Sequence, residues 1–277
     1  MSKYVLAVSG GVDSAVLLDI LAKLKTHELV VAHFDHGTRR DSGIDAIFVA
    51  GLAKKYDLPF ETKREKLGPD VSEEKARARR YKFLREVAKK HNATLVTAHH
   101  ADDIIESIAI NLIRGTGWRG LAVLDSDVER LLTGLSKMEI IDYAKRNKLA
   151  WREDSTNAED KYLRNRIRRK TMRIPEDQRR ELLALHADQK RIKKHIKDEV
   201  KRLVGDGPVY NRYFFIHINE ASASECLRHI VGSRLTHPQI IKALHAIKTA
   251  LPGKTFDAGG GVKIKFTTRN FTVELVK

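Results

Sequence analysis

The chain has one cysteine, Cys226, among 277 residues. That excludes an intrachain disulfide, a four-cysteine zinc site and a self-contained cluster site. No apolar run approaches the roughly 18 residues that a membrane-spanning helix requires. The opening MSKYVLAVSGG has too short an apolar stretch for a signal peptide and lacks a cleavage pattern. No internal repeat is visible. With 42% hydrophobic and 32% charged residues, the composition fits neither a disordered nor a collagen-like chain. The length suits roughly two domains able to bury a core without staples. The expectation is a soluble, cytoplasmic protein with no membrane partner.

What the chain has in excess is positive charge. Fifty-two Lys plus Arg against 36 Asp plus Glu leave +16. Between Asp160 and Arg202 there are 16 basic and 7 acidic residues, so +9 of that excess falls in 43 positions. A solvated helix face explains many charge runs, but one this unbalanced favours a nucleic-acid partner.

The first 150 residues alternate short apolar runs with amphipathic stretches. Strands are expected at Tyr4–Val8, Leu29–Phe34, Pro59–Thr62, Thr94–Ala98 and Val128–Leu132, and helices at Asp13–Leu24, Gly43–Tyr56, Ser72–His91, Asp102–Leu112 and Lys137–Asn147. Strands separated by helices mean crossover units on a parallel sheet, an α/β fold. Ligands of such sheets bind beyond the carboxyl ends of the strands, here after Val8, Phe34 and Ala98. The pattern divides the chain into a nucleotide-binding domain over 1–175, a basic amphipathic helical linker over 176–204 and a small α+β domain over 205–277. Leu182, Leu185, Ile192, Ile196 and Leu203 form the linker's apolar seam, suited to an intramolecular contact or to a homodimer. Helices near Glu220–Ile230 and Pro238–Thr249 and a hairpin of Val262–Phe266 with Phe271–Val276 make up the last domain.

Ser9-Gly10-Gly11-Val12-Asp13-Ser14 joins the first strand to the first helix. Consecutive glycines let backbone N–H groups close around an anion, the helix N-terminus adds positive potential, and Ser9 and Ser14 supply hydroxyls. No GxxxxGK[ST] is present, so the loop lacks the lysine that grips β- and γ-phosphates in kinases and GTPases. Such a loop suits cleavage between α- and β-phosphates with retention of pyrophosphate.

The loop resembles that of the PP-loop ATP pyrophosphatase superfamily, whose fold is the adenine nucleotide α-hydrolase-like parallel sheet. Four more segments narrow the likeness: His33-Phe34-Asp35-His36-Gly37-Thr38-Arg39; Ala76-Arg77-Ala78-Arg79-Arg80-Tyr81; Thr97 to Ser107 leading to Arg114-Gly115-Thr116-Gly117; and Asp154-Ser155-Thr156-Asn157 before Arg164-Asn165-Arg166-Ile167-Arg168. In order and spacing these resemble the tRNA(Ile)-lysidine synthetase family from about Tyr4 to Pro175. Thr38, Ser107 and Leu131 depart from the family's usual residues. The resemblance implies a ligase that uses ATP and Mg²⁺ to adenylate C2 of the wobble cytidine in a tRNA(Ile) with a CAU anticodon. The ε-amine of free L-lysine then attacks C2, giving lysidine, AMP and pyrophosphate and moving decoding from AUG to AUA.

The residue types suit that chemistry. Ser9, Gly10, Gly11, Asp13, Ser14, His33, Arg114 and Gly115 are the expected nucleotide contacts. Asp102, Asp103 and Glu106 lie at i, i+1 and i+4, where carboxylates could hold Mg²⁺ or the lysine ammonium. Lysine must lose a proton before attack, so Asp103 is an expected acceptor, with His99 or His100 orienting the nucleotide or relaying the proton. Arg77 and Arg80 share a helix face and offer guanidinium forks to a base edge or to the α-phosphate. Asp35, in a loop positioned by the strand before it, is assigned to substrate or base handling. Arg164, Arg166 and Arg168 are expected on the tRNA backbone, with Asn165 structural.

Rivals sharing the loop are a tRNA thiolase and a metabolite-amidating enzyme. The first normally needs paired cysteines, and no glutaminase module fits this length. A non-catalytic, nucleotide-regulated RNA-binding protein would not need Asp102, Asp103 and an intact loop together.

Overall fold

The computed structural model describes residues 2–37, 42–66, 68, 71–124, 126–152, 163–205 and 207–276, with the side chains of 42, 73 and 163–165 not described. Thr38, Arg39 and the segment Asp154-Ser155-Thr156-Asn157 lie outside the described residues, as do the side chains of Arg164 and Asn165. Two compact units are present, Met1–Lys190 and Arg191–Lys277.

The first unit runs β1 (Lys3–Ala7), α1 (Val12–Leu24), β2 (Glu28–Asp35), α2 (Ser42–Lys55), β3 (Phe60–Arg64), α3 (Glu73–Lys90), β4 (Thr94–Val96), α4 (Ala101–Ile113), α5 (Lys137–Arg146) and α6 (Leu163–Thr171). The strand order is β3-β2-β1-β4, all neighbours parallel. Seven of the eight residues of β2 are buried, which matches a parallel strand covered by helices on both faces. The chain winds from β1 outward to β3, then crosses back through α3 to place β4 on the other side of β1. The strand order therefore reverses between β1 and β4, where a crevice opens at the carboxyl ends. The expected strand at Val128–Leu132 makes only single parallel bridges, Val96 with Glu129 and His100 with Leu132, beside the short edge strand β4.

α1 packs Leu17, Leu18 and Leu21 into the core, yet Asp19 on the same helix is 1% exposed. Its carboxylate accepts hydrogen bonds from Tyr56 Oη at 2.6 Å and Tyr143 Oη at 2.8 Å, and pairs with Lys23 at 2.8 Å. Burial would push the Asp19 carboxyl up, but these three partners outweigh it and hold it below its usual range. That node fixes α1 against α5 and the end of α2.

α7 (Glu176–Val204) starts in the first unit and ends in the second, so the boundary falls inside the helix read as a linker. Its early turns use Leu183 beside Ile104 and Ile108 and its late turns use Ile196, Val200 and Val204 in the second unit's core, whereas Leu185, Ile192 and Leu203 of the expected seam are exposed. That unit continues β5 (Val209–Asn211), α8 (Arg212–His217), α9 (Glu220–Val231), α10 (His237–Thr249), β6 (Thr255–Gly259), β7 (Val262–Phe266) and β8 (Asn270–Leu275). The antiparallel sheet has the order β5-β8-β7-β6. β7 alternates buried and exposed residues throughout, as a sheet with one wet face must. Cys226 is 1% exposed in this core, and burial pushes its thiol up. Among the described residues, no helix is long and apolar enough to cross a membrane.

Candidate active site

Between Ala7 and Val12 the chain turns from strand to helix. Gly10 sits at φ +93°, a backbone state that residues with a side chain rarely adopt, with the Phe48 ring 3.4 Å from where a Cβ would lie. Ser14 Oγ donates to the Gly11 carbonyl at 2.9 Å and accepts the Ser9 N–H at 3.2 Å, drawing the loop shut. Gly11 caps α1 without any side-chain bond, so an anion in the loop meets uncapped helix N–H groups.

A cavity of about 360 Å³ opens beside this loop. Ser9, Asp13 and Ser14 line it from the loop, His33, Asp35 and His36 from the end of β2, Arg80 and Tyr81 from α3, and His99 and Asp103 from the region after β4. His33 is 4% exposed, and its Nδ1 lies 2.8 Å from the Val8 carbonyl. A carbonyl only accepts, so Nδ1 carries the proton and Nε2 is left as a buried acceptor with no partner among the described residues. His36 Nδ1 is likewise buried, with no hydrogen-bond partner among the described residues. Burial first, and then the charge of Arg80, push His36 below the usual histidine range. Asp35 accepts the Gly37 N–H at 2.8 Å and pairs with Arg64 at 3.2 Å. His99 is oriented by Thr97 Oγ1 at 2.8 Å. Buried polar atoms without protein partners, gathered at one cavity, mark a place shaped for a polar ligand.

The start of α4 supplies the acidic side. His100 is 6% exposed and stands 3.5 Å from both Asp102 and Asp103 and 3.8 Å from Asp13. Burial pushes this histidine down, but the three carboxylates outweigh it and hold it above its usual value. Asp103 Oδ2 accepts the His100 backbone N–H at 3.0 Å, closing the first turn. Asp102 accepts the Lys137 backbone N–H at 2.7 Å and a guanidinium N–H of Arg179. Burial would raise the Asp102 carboxyl; bonds from His100, Lys137 and Arg179 prevail and hold it far below the usual range. Glu106, 2% exposed, takes Arg168 Nε at 2.8 Å.

Several expectations are corrected by these placements. Asp102, Asp103 and Glu106 do not converge on one metal position, and no group of three His, Cys, Asp or Glu able to hold a metal occurs among the described residues. Successive helical residues point about 100° apart, and Arg179 and Arg168 claim the two outer acids. Of the three, only Asp103 lines the cavity. Arg114 caps the far end of α4 and Gly115 follows it, about 12 to 18 Å along the helix axis from the acids by the 1.5 Å rise per residue. Neither lines the cavity. Arg77 is drawn onto Tyr81, its Nη2 3.3 Å from the hydroxyl, and Arg80 reaches the cavity instead. Arg168 faces Glu106, whereas Arg166 is exposed on α6.

The sequence reading missed Lys137, whose Nζ is 2.5 Å from Asp13 Oδ1 across 124 residues of chain. It also missed Arg179, Arg64 and Arg152, the last bonded to Asp45 at 2.5 Å with its N–H on the Gly10 carbonyl at 2.9 Å. No motif marks them, because each is defined by what the fold brings beside it.

The PP-loop domain family model matches residues 1–174. A tRNA(Ile)-lysidine synthase of Thermosipho africanus is 39% identical over 188 residues, 62% of this chain and 43% of that protein. The tRNA(Ile)-lysidine synthase of Thermotoga maritima is 38% identical over 175 residues, 58% of this chain and 42% of the relative. The chain thus spans less than half the length of these curated relatives. Among solved structures, the U34-tRNA thiolase NcsA of Methanococcus maripaludis, with its 4Fe-4S cluster, aligns with a TM-score of 0.58 at 18% identity, covering 70% of this chain and 73% of that one. That likeness is one of fold. With the family model covering well over half its residues, from the phosphate loop to the end of α6, the chain belongs to the PP-loop domain family.

Proposed function

We propose that this chain is a tRNA(Ile)-lysidine synthetase that adenylates C2 of the wobble cytidine of a CAU-bearing tRNA(Ile) and replaces AMP with lysine. The observation that carries the reading is the cavity at the β1–β4 reversal, where the phosphate loop meets Asp35, His99 and Asp103. The relatives named above, at 38–39% identity, support the choice of reaction within the family.

In this reading the N–H groups of Gly10 and Gly11 and the hydroxyls of Ser9 and Ser14 hold the triphosphate of ATP. The bare Nε2 of His33 accepts a hydrogen bond from the nucleotide. Asp35 and Arg80, at the opposite wall, handle the cytidine. The C2 oxygen attacks the α-phosphate and pyrophosphate leaves into the loop. Free lysine, with a side-chain pKa of about 10.4, arrives as an ammonium. Asp103, oriented by His100, takes its proton with His99 beside it, and the amine displaces AMP from C2. Mg²⁺ fits this donor set as a counter-ion of the triphosphate, held by Asp13 and Asp103, since one or two carboxylates with phosphate oxygens are its ordinary ligands. It would neutralise charge on the leaving pyrophosphate. Exposed Arg166 and the chain's net charge of +16 supply attraction for the tRNA backbone.

Incubation with ATP, radiolabelled lysine and total tRNA, followed by nucleoside analysis, tests the reading. Label in lysidine, dependent on the CAU-bearing tRNA, is the expected result; pyrophosphate release without lysine incorporation would redirect the assignment to another member chemistry.

A further inference from the structure

The phosphate loop carries no lysine of its own, and the cavity around it is lined by four carboxylates, Asp13, Asp35, Asp45 and Asp103. A triphosphate entering such a cavity is repelled unless cations are close. Arg64 is paired with Asp35, Arg152 with Asp45, and Arg168 with Glu106. Arg80 lines the cavity as well, and among the described residues the side-chain cation bonded to the loop itself is Lys137, the first residue of α5, with Nζ 2.5 Å from Asp13 Oδ1.

We infer that Lys137 is the loop's missing lysine, supplied from a distant helix: it pairs with Asp13 when the loop is empty and transfers to the β- and γ-phosphates when ATP binds. The inference rests on the ATP reading of the cavity. Two features of the pair make the exchange easy. Its side chains are 36% and 31% exposed, so solvent screens the bond to Asp13 and little is lost when it breaks. The polyphosphate that replaces Asp13 carries several charges in place of one, so the ammonium gains by moving. Meanwhile the backbone of Lys137 stays fixed, its N–H held by Asp102, which Arg179 braces in turn. Only the four-carbon stem has to swing. Asp13, released, is then available to the counter-ion on the phosphates.

The test is equilibrium binding of ATP, inorganic pyrophosphate and AMP to the full chain carrying Lys137→Gln or Lys137→Arg, beside the wild type. Lys137→Gln should weaken ATP and pyrophosphate by about 10- to 100-fold, the worth of one charge-assisted bond, and leave AMP unchanged. Lys137→Arg should restore most of the ATP affinity. The Asp13→Asn background separates gripping from positioning. If Lys137 contacts phosphate, Lys137→Gln still costs affinity there; if it merely orients Asp13, the cost disappears and the inference falls. Equal losses for AMP and ATP, or none for either polyphosphate, would also overturn it. A wild type that binds ATP while Lys137→Gln binds it equally well removes the lysine's role alone. A wild type that binds none of the three ligands removes the ATP reading beneath it.

Discussion

The two units bury polar groups in different settings. In the second, Arg212 is 7% exposed and its guanidinium is bonded to the carbonyls of Ile247, Ala250 and Thr267, so the charge closes the end of α10. Its core runs apolar from Phe215 and Leu227 to Phe271, with Ser224 Oγ and Arg228 Nε buried without a hydrogen-bond partner among the described residues. In the first, His33 and His36 line the cavity beside the phosphate loop, and His33 Nε2 and His36 Nδ1 are buried with no hydrogen-bond partner among the described residues. Buried polar atoms cost free energy when unpaired. A fold that leaves two beside a phosphate loop holds them in readiness for something that completes them. The comparison teaches where to look for chemistry: at incomplete polar burial that gathers at a cavity, and not at polar burial as such.

The largest effect should come from the incomplete side. Asp103→Asn should lower lysine incorporation by roughly 10²- to 10⁴-fold, the usual share of a proton acceptor, while the unfolding midpoint stays near wild type. Nucleoside analysis and a thermal melt read the two. Turnover near wild type would remove Asp103 from the chemistry.

Next is the second unit's core. Phe271→Ala empties a fully buried ring position and should cost about 3–5 kcal/mol in denaturant unfolding. ATP binding should be preserved at low denaturant. A loss of ATP affinity in the folded variant would mean that the two units are energetically coupled.

The pH dependence sharpens the contrast within the first unit. The Asp102 carboxyl is depressed in the folded chain, so its stabilisation is present above the unfolded carboxyl value and is lost as pH falls from there through the folded value. His100 is raised, so its contribution is present below the unfolded histidine value and is lost as pH rises through the folded value. Unfolding midpoints across pH should therefore decline toward both ends. Asp102→Asn should flatten the acid limb, and His100→Gln the neutral-to-alkaline one; limbs unchanged in both variants would refute these assignments.

The smallest expected effect concerns RNA. Neutralising exposed Arg166 should reduce the slope of log affinity against log salt by about 1, one phosphate contact's worth. Arg168→Gln, by contrast, should act on turnover through Glu106 and leave the slope alone. A slope change with Arg168→Gln and none with Arg166→Gln would reverse the placement of the tRNA on this helix.

Periodicity and punctuation carried much of the architecture. The apolar run of β2 and the double glycine after β1 are local signals, because strand burial and positive φ are each set by neighbours a few residues apart; the seam read on α7 was not met, since Leu185, Ile192 and Leu203 are exposed and the helix packs through Leu183, Ile196, Val200 and Val204. The three-residue β5 and the six-residue α8 escaped notice, since elements so short have no period to detect. At the site, Ser9, Asp13, Ser14, His33, Asp35, Arg80, His99 and Asp103 were legible because motif residues that share a strand end or loop must share its crevice. Arg114 and Gly115 were misplaced because nearness in sequence is not nearness in space when a helix of 13 residues intervenes.

By itself, then, the sequence determined the parallel-sheet class, the anion-binding loop and the identity of the acids and histidines near it. The tertiary structure alone decided how those acids are used: Asp102 given to Arg179, Glu106 to Arg168, Asp13 to Lys137, and Asp103 left facing the cavity. The physical reason is that a carboxylate's role follows from the cation within about 3 Å of it, and in three of these pairs that cation lies 62 to 124 residues away along the chain.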